Sequence, residues 1–139
     1  MQFLKRLLLG ACAGLVSGTI ILGIGGRLAM RLIAMLGGLP GGFSWGGSLE
    51  VVALGLLIGL LSGALFGLIE KLGFQKRAYS GLLYGALVFG SIIILPIEGK
   101  GAAAGFPKLL LIIYLIFGNL FLLYGWALAS LFDHWYSRT

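Results

Sequence analysis

Apolar residues run along this chain in long continuous stretches, and charge gathers where the stretches end. From Leu7 to Leu36 the only charged positions are Arg27 and Arg31. One helix over that stretch would be ~45 Å long, well beyond the ~30 Å hydrocarbon core of a bilayer. Gly23, Gly25 and Gly26 mark its weak point. The pattern therefore predicts a first span over about 7–26 and a helical extension over 27–36, which continues the span or bends along the outer interface. Six glycines and Pro40 make the segment from Gly37 to Ser48 a loop, to which Phe43 and Trp45 give an interface-seeking character. Further spans are predicted over 49–70, 79–95 and 108–132. Ser48 is the expected N-cap of the second, Pro96 the stop of the third, and Pro107 the first-turn proline of the fourth. Continuous apolar runs, rather than alternation, argue against a β-barrel. The expected fold is all-α: one transmembrane domain over 1–139, four helices in up-down order.

Within the second run, Gly55, Gly59, Gly63 and Gly67 recur every four residues. On a helix they form one slowly drifting stripe, a groove into which another backbone can settle. Gly10, Gly14 and Gly18 repeat the spacing in the first run, and Gly81 and Gly85 do so in the third. In lipid, where apolar burial gives no net drive, close approach at small residues is a main source of helix association. The expectation is that the first two helices form an antiparallel, glycine-mediated pair, the alternative being a ladder that faces other subunits. Short echoes also occur: GLVSG at Gly14–Gly18 against GLLSG at Gly59–Gly63, and LLYG at both Leu82–Gly85 and Leu122–Gly125.

Composition strengthens the membrane reading. The chain is 60% hydrophobic and 10% charged, with a mean hydropathy of +1.09, whereas soluble domains carry about a quarter charged residues. The net charge of +6 is dispersed at span edges, which suits topology signals and lipid headgroups rather than nucleic acid. Lys5, Arg6, Lys71, Lys76, Arg77 and Arg138 fall on one side of a four-span arrangement. The positive-inside rule then puts both termini in the cytoplasm of a bacterial inner or plasma membrane. Lys100, Lys108, Arg27 and Arg31 fall on the other side. The single cysteine, Cys12, is expected to be a buried helical thiol.

Candidate chemistry is sparse. Arg27 and Arg31, four residues apart, project from one helix face just after a Gly-Gly step. An arginine within or at the rim of a membrane is a candidate site for a phosphate headgroup, a small anion or a carboxylate. The alternatives are snorkelling to headgroups or ion pairing with Glu50 or Glu98. Asn119, near the middle of the fourth span, needs a hydrogen-bond partner on another helix, with Ser17, Thr19, Ser62, Ser91, Tyr84, Tyr114 or Tyr124 as candidates. His134 stands alone in the polar tail. No catalytic residue, metal site or cofactor is expected: no span carries a central acidic residue, and no nucleophile–base pair, His pair or phosphate-binding loop occurs.

The size and span count resemble those of small multidrug exporters and fluoride channels. The membrane glutamate of the former and the phenylalanine-rich threonine–serine motif of the latter are missing, so the resemblance implies no function. The expected function is a non-enzymatic accessory or assembly subunit whose partners are lipids and other membrane helices, or copies of itself. The alternatives are a homo-oligomeric anion channel or carrier with Arg27 and Arg31 at its outer mouth, and lipid-headgroup binding by the same pair.

Overall fold

The computed structural model describes residues 2–38, 44–69, 77–94 and 107–138, and among them every residue except Gly37, Gly38 and Ser44 is helical. Pro40, Phe43, Glu70, Lys71, Lys76, Pro96, Glu98 and Lys100 lie outside the described residues.

The first run forms one continuous helix, Gln2–Leu36, with an internal change of winding. Helix α1 spans Gln2–Ser17, a π-helical stretch covers Gly18–Gly25, and α2 continues over Gly26–Leu36. Gly23 and Gly25 thus lie in a widened stretch of helix and Gly26 opens α2, so the three glycines do not break the helix. Ser17 Oγ donates to the carbonyl of Ala13 (2.7 Å) and Thr19 Oγ1 to that of Leu15 (2.8 Å), so both hydroxyls are satisfied within the helix where the widening begins. The Gly26 N–H then bonds to the Leu22 and Gly23 carbonyls, restoring the tighter winding. Helix α2 ends in a glycine C-cap: Gly37 N–H bonds to Ile33 O at 2.8 Å, and Gly38 follows with φ +64°, in the left-handed region that glycine enters without strain.

Helix α3, Trp45–Ile69, starts earlier than its sequence suggests. Ser44, not Ser48, is the cap, its Oγ accepting from Gly47 N–H at 3.1 Å. That bond lets Gly46 and Gly47 join the first turn despite their low helix propensity, and Ser48 Oγ turns back to the Ser44 carbonyl at 2.9 Å. Helix α4 spans Arg77–Ile94 and α5 spans Pro107–Arg138. Proline at the first helical position removes an N–H that has no partner there, and Arg138 in the last turn suits the negative end of the dipole. Helix α5 runs on through the DHWYSR tail, 32 residues in all.

Three helices are long and apolar enough to cross a membrane: Gln2–Leu36, Trp45–Ile69 and Lys108–Arg138. Of α4, the apolar helical part is Tyr79–Ile94, ~24 Å long at 1.5 Å per residue and short of the ~30 Å core.

Two antiparallel helix pairs make the bundle. Helix α1 lies along α3 with Gly10 opposite Gly67, Gly14 opposite Gly63 and Gly18 opposite Gly55 and Gly59. A Cβ on Gly14 would stand 2.6 Å from Gly63 Cα, and one on Gly18 at 2.6 Å from Gly59 Cα, so the two backbones leave no room for one. The π-helical stretch prolongs this contact. Its bonds span five residues rather than four, so Gly18 and Gly23 share a face, and Gly23 also reaches the α3 backbone, where a Cβ on Gly55 would lie 2.5 Å from its nitrogen. Cys12 is exposed, which corrects its expected burial: Gly10, Ala13, Gly14 and Ser17 face inward, and Cys12 lies between them on the far side. In the second pair, a Cβ on Gly125 of α5 would lie 2.7 Å from Gly85 N of α4, and Gly81 stands beside Gly125 and Ala129.

The pairs meet in a core built from Phe66, Tyr84, Phe121, Tyr124, Leu128 and Phe132. Phe121 lies near the middle of α5, and Phe66, Leu128 and Phe132 lie toward the end of the bundle that carries both termini. There Arg6 Nη2 donates to Tyr136 OH at 2.9 Å, with its guanidinium 5.0 Å from the ring centroid, while Tyr136 stacks on Phe132.

Candidate functional site

Two groups of polar side chains bear on a site, one inside the bundle and one at the end away from the termini. Inside, Ser62 of α3 is the meeting point of three helices. Its Oγ bonds to the Ile58 carbonyl of its own helix at 2.6 Å and shares a 2.5 Å hydrogen bond with Tyr124 OH of α5. Tyr84 OH of α4 donates to the Ser62 carbonyl at 2.5 Å, and Tyr124 OH also faces the Gly59 carbonyl at 3.4 Å. Each buried hydroxyl is therefore engaged, as a water-free interior requires. The two tyrosines come from the two LLYG echoes, which pack antiparallel so that both rings converge on one serine. Sequence reasoning noted the echoes and offered all three residues as partners for Asn119, but it missed that they serve one another. The repeated LLYG was the signal available. With its donors and acceptors filled, the cluster clasps three helices together.

Asn119 lies elsewhere. It is exposed on α5, and its Nδ2 donates to the Leu115 carbonyl of the same helix at 2.8 Å. The interhelical bond expected of it is not made among the described residues.

At the other end, Gly26 is buried against Val51 of α3, and Arg27 follows it. A uniform α-helix would carry Arg27 about 140° round from Gly14, away from the ladder. The π-helical stretch shifts that phase, and Arg27 comes to lie beside the first turn of α3, with Nη1 3.9 Å from where a Cβ on Gly47 would stand. Its Nε is buried without a hydrogen-bond partner. Glu50 is exposed on α3 and forms no ion pair with Arg27 among the described residues, and Glu98 lies outside them. Arg31, one turn further on, is exposed and already engaged. The structure thus separates the two arginines. Arg27 is tucked against the positive end of a helix dipole, where a guanidinium is repelled unless an anion joins it, whereas Arg31 stands outside.

Between α3 and α4 opens a groove of about 380 Å³ whose walls include Leu65, Phe66, Leu83, Leu87 and Ser91. Tyr84 borders it but directs its hydroxyl to Ser62, away from the opening. Among the described residues no group of His, Cys, Asp and Glu is placed to hold a metal ion. No family model, curated protein or solved structure matches this chain, so the reading of its site stands on the geometry alone.

Proposed function

We propose that this chain is a small non-enzymatic integral membrane protein that acts by helix packing, as an accessory or assembly subunit for other membrane helices. It sits in a plasma membrane, the bacterial inner membrane on this reading, with both termini cytoplasmic. The observation that carries the proposal is the outer side of α3. Its glycine stripe is occupied by α1, which leaves Leu54, Leu57, Leu61 and Leu65 as a ridge at three- and four-residue spacing, 57, 53, 57 and 54% exposed. Its Leu65 also lines the groove against α4, so the exposed face of a glycine-seated helix runs on into an apolar recess. Glycine-mediated packing of α1 on α3 holds that helix, and the Ser62 clasp ties α4 and α5 to it. Solubilised in a mild detergent, the chain is expected to co-migrate with a larger membrane assembly, and Leu57→Ala/Leu61→Ala is expected to release it. Purification only as the chain itself, alone or multiplied, would overturn the reading.

The buried, unpartnered Nε of Arg27 favours a second reading in which this corner holds a phosphate of an anionic lipid. Native protein is expected to retain phosphatidylglycerol through delipidation, and Arg27→Ala to retain several-fold less. Equal retention by the two would sink this reading. An anion leak in liposomes that Arg27→Ala abolishes, with lipid retention unchanged, would place the arginine in a conduction path instead.

A further inference from the structure

The apolar run of α5 from Leu109 to Phe132 carries one amide, Asn119, ~15 Å from its start and ~20 Å from its end on a helical rise of 1.5 Å per residue. It is exposed, and only one of its two amide hydrogens is used, in the 2.8 Å bond to Leu115 O. Its second amide hydrogen and its carbonyl oxygen have no partner among the described residues. On the membrane reading, which this inference rests on, these groups face hydrocarbon, where no water can satisfy them.

The surroundings of Asn119 form a single stripe. Leu111, Leu115, Leu123 and Trp126 are 63, 58, 56 and 51% exposed, and their spacing of four, eight and three residues leaves Asn119 midway between Leu115 and Leu123. On a 3.6-residue helix these five positions share one face, with Asn119 near the centre of the arc. Among the described residues nothing covers that face, because α5 turns Phe121, Tyr124, Leu128 and Phe132 inward.

We infer that a second copy of this chain covers it, with the two Asn119 amides hydrogen-bonded to each other across a two-fold axis. An amide is donor and acceptor at once, so two identical amides satisfy each other reciprocally and require no foreign polar group. Copies inserted in the same orientation are related by an axis along the membrane normal, so their α5 helices run parallel. Asn119 then meets Asn119 at any crossing angle, with Leu115 and Leu123 paired one turn to either side. Such a contact is isologous and closes at two subunits. A lone asparagine in an apolar helix seam also fixes register and subunit number. This interface uses α5, on a different helix from the α3 ridge, so two copies can join while α3 remains available.

The test uses the full chain in proteoliposomes, on a Cys12→Ala background, since Cys12 is the sole cysteine and is exposed. Oxidation is expected to link Leu115→Cys and Leu123→Cys chains into dimers, and to leave Leu61→Cys on the outer side of α3 largely unlinked. Adding Asn119→Leu should lower the dimer equilibrium constant about tenfold, the effect of losing two interhelical hydrogen bonds in lipid, while Asn119→Gln keeps most of it. Thermal unfolding of the detergent-solubilised monomer should not change in Asn119→Leu, because the side chain bonds only to its own helix. Equal cross-linking at Leu61→Cys and Leu115→Cys, or a dimer indifferent to Asn119→Leu, would each overturn the inference. Failure of the membrane reading itself would show separately, as a chain that alkaline extraction removes from membranes.

Discussion

Gly59→Leu is expected to leave no folded bundle, and Gly59→Ala to lower stability by about 1–3 kcal/mol, the usual effect of forcing atoms into a filled site. Alanine gains roughly 1 kcal/mol over glycine in a helix, so the sign depends on what its Cβ would meet. At Gly59 it would lie 2.8 Å from Gly18 Cα and would overlap the Gly14 carbonyl. Both are backbone atoms, so no rotamer change relieves the overlap, and α1 must move off α3. Movement there also opens the contacts at Gly10, Gly14 and Gly18, because one rigid helix carries all three. On the membrane reading the lost dispersion contacts are not offset by a hydrophobic drive to stay together. Gly90 of α4 is the internal control: nothing lies within 4 Å of a Cβ there, so Gly90→Ala should stabilise by roughly 0.5–1 kcal/mol. Unfolding in mixed micelles measures both. A Gly59→Ala chain as stable as Gly90→Ala would show that the two helices do not meet at the ladder.

Phe132→Ala is expected to cost about 3 kcal/mol, the lower end of the range for removing a fully buried aromatic ring. On the membrane reading the lower end applies, because in lipid the transfer term is small, leaving the cavity and the lost ring contacts as the cost. Phe132 is 0% exposed. Its ring meets Phe66 of α3 edge-on at 5.8 Å and stacks on Tyr136 at 5.8 Å, and Tyr136 in turn holds Arg6 of α1. One truncation therefore loosens three helices at the end that carries both termini. Phe132→Leu keeps most of the volume and should cost about 1 kcal/mol. Leu87→Ala, at a position 68% exposed, should be nearly silent in the same assay. Equal losses for Phe132→Ala and Leu87→Ala would mean that no core exists at this end.

How far the structure could be read from the sequence depended on the range of the interaction that decides each feature. Helical class, approximate run lengths and the position of Pro107 follow from composition and local sterics, and these are legible. The four-residue spacing of the glycines also showed that each stripe would lie on one face. The start of α3 was misplaced by four residues because two serines compete for the cap. Ser44 takes it through its bond to Gly47, and the longer helix follows. Gly23, Gly25 and Gly26 look like a break by propensity, yet with α3 alongside they remain helical, the first two in a wider winding. The DHWYSR tail reads as polar and beyond the span predicted to end at 132, but it continues α5, where Tyr136 contacts Phe132 and Arg6.

The candidate sites divide in the same way. Arg27, Arg31 and Asn119 stood out because charge or amide in an apolar run is costly wherever the helix points. What each of them faces was not legible. A helix rotates as a unit, so its partners are set by the neighbours it packs against and by any change in its winding. The sequence by itself determined that this is an all-helical chain of long apolar runs with a few polar groups out of place in them; it counted four runs as spans, where three helices are long enough and Tyr79–Ile94 is shorter. Those properties belong to single segments, and hydrophobicity and backbone sterics act locally. The tertiary structure alone decided that the two LLYG tyrosines close on Ser62, that a π-helical stretch swings Arg27 against α3, and that Asn119 is left on the outside. Each of these depends on the relative rotation of two or more helices, which no single segment encodes.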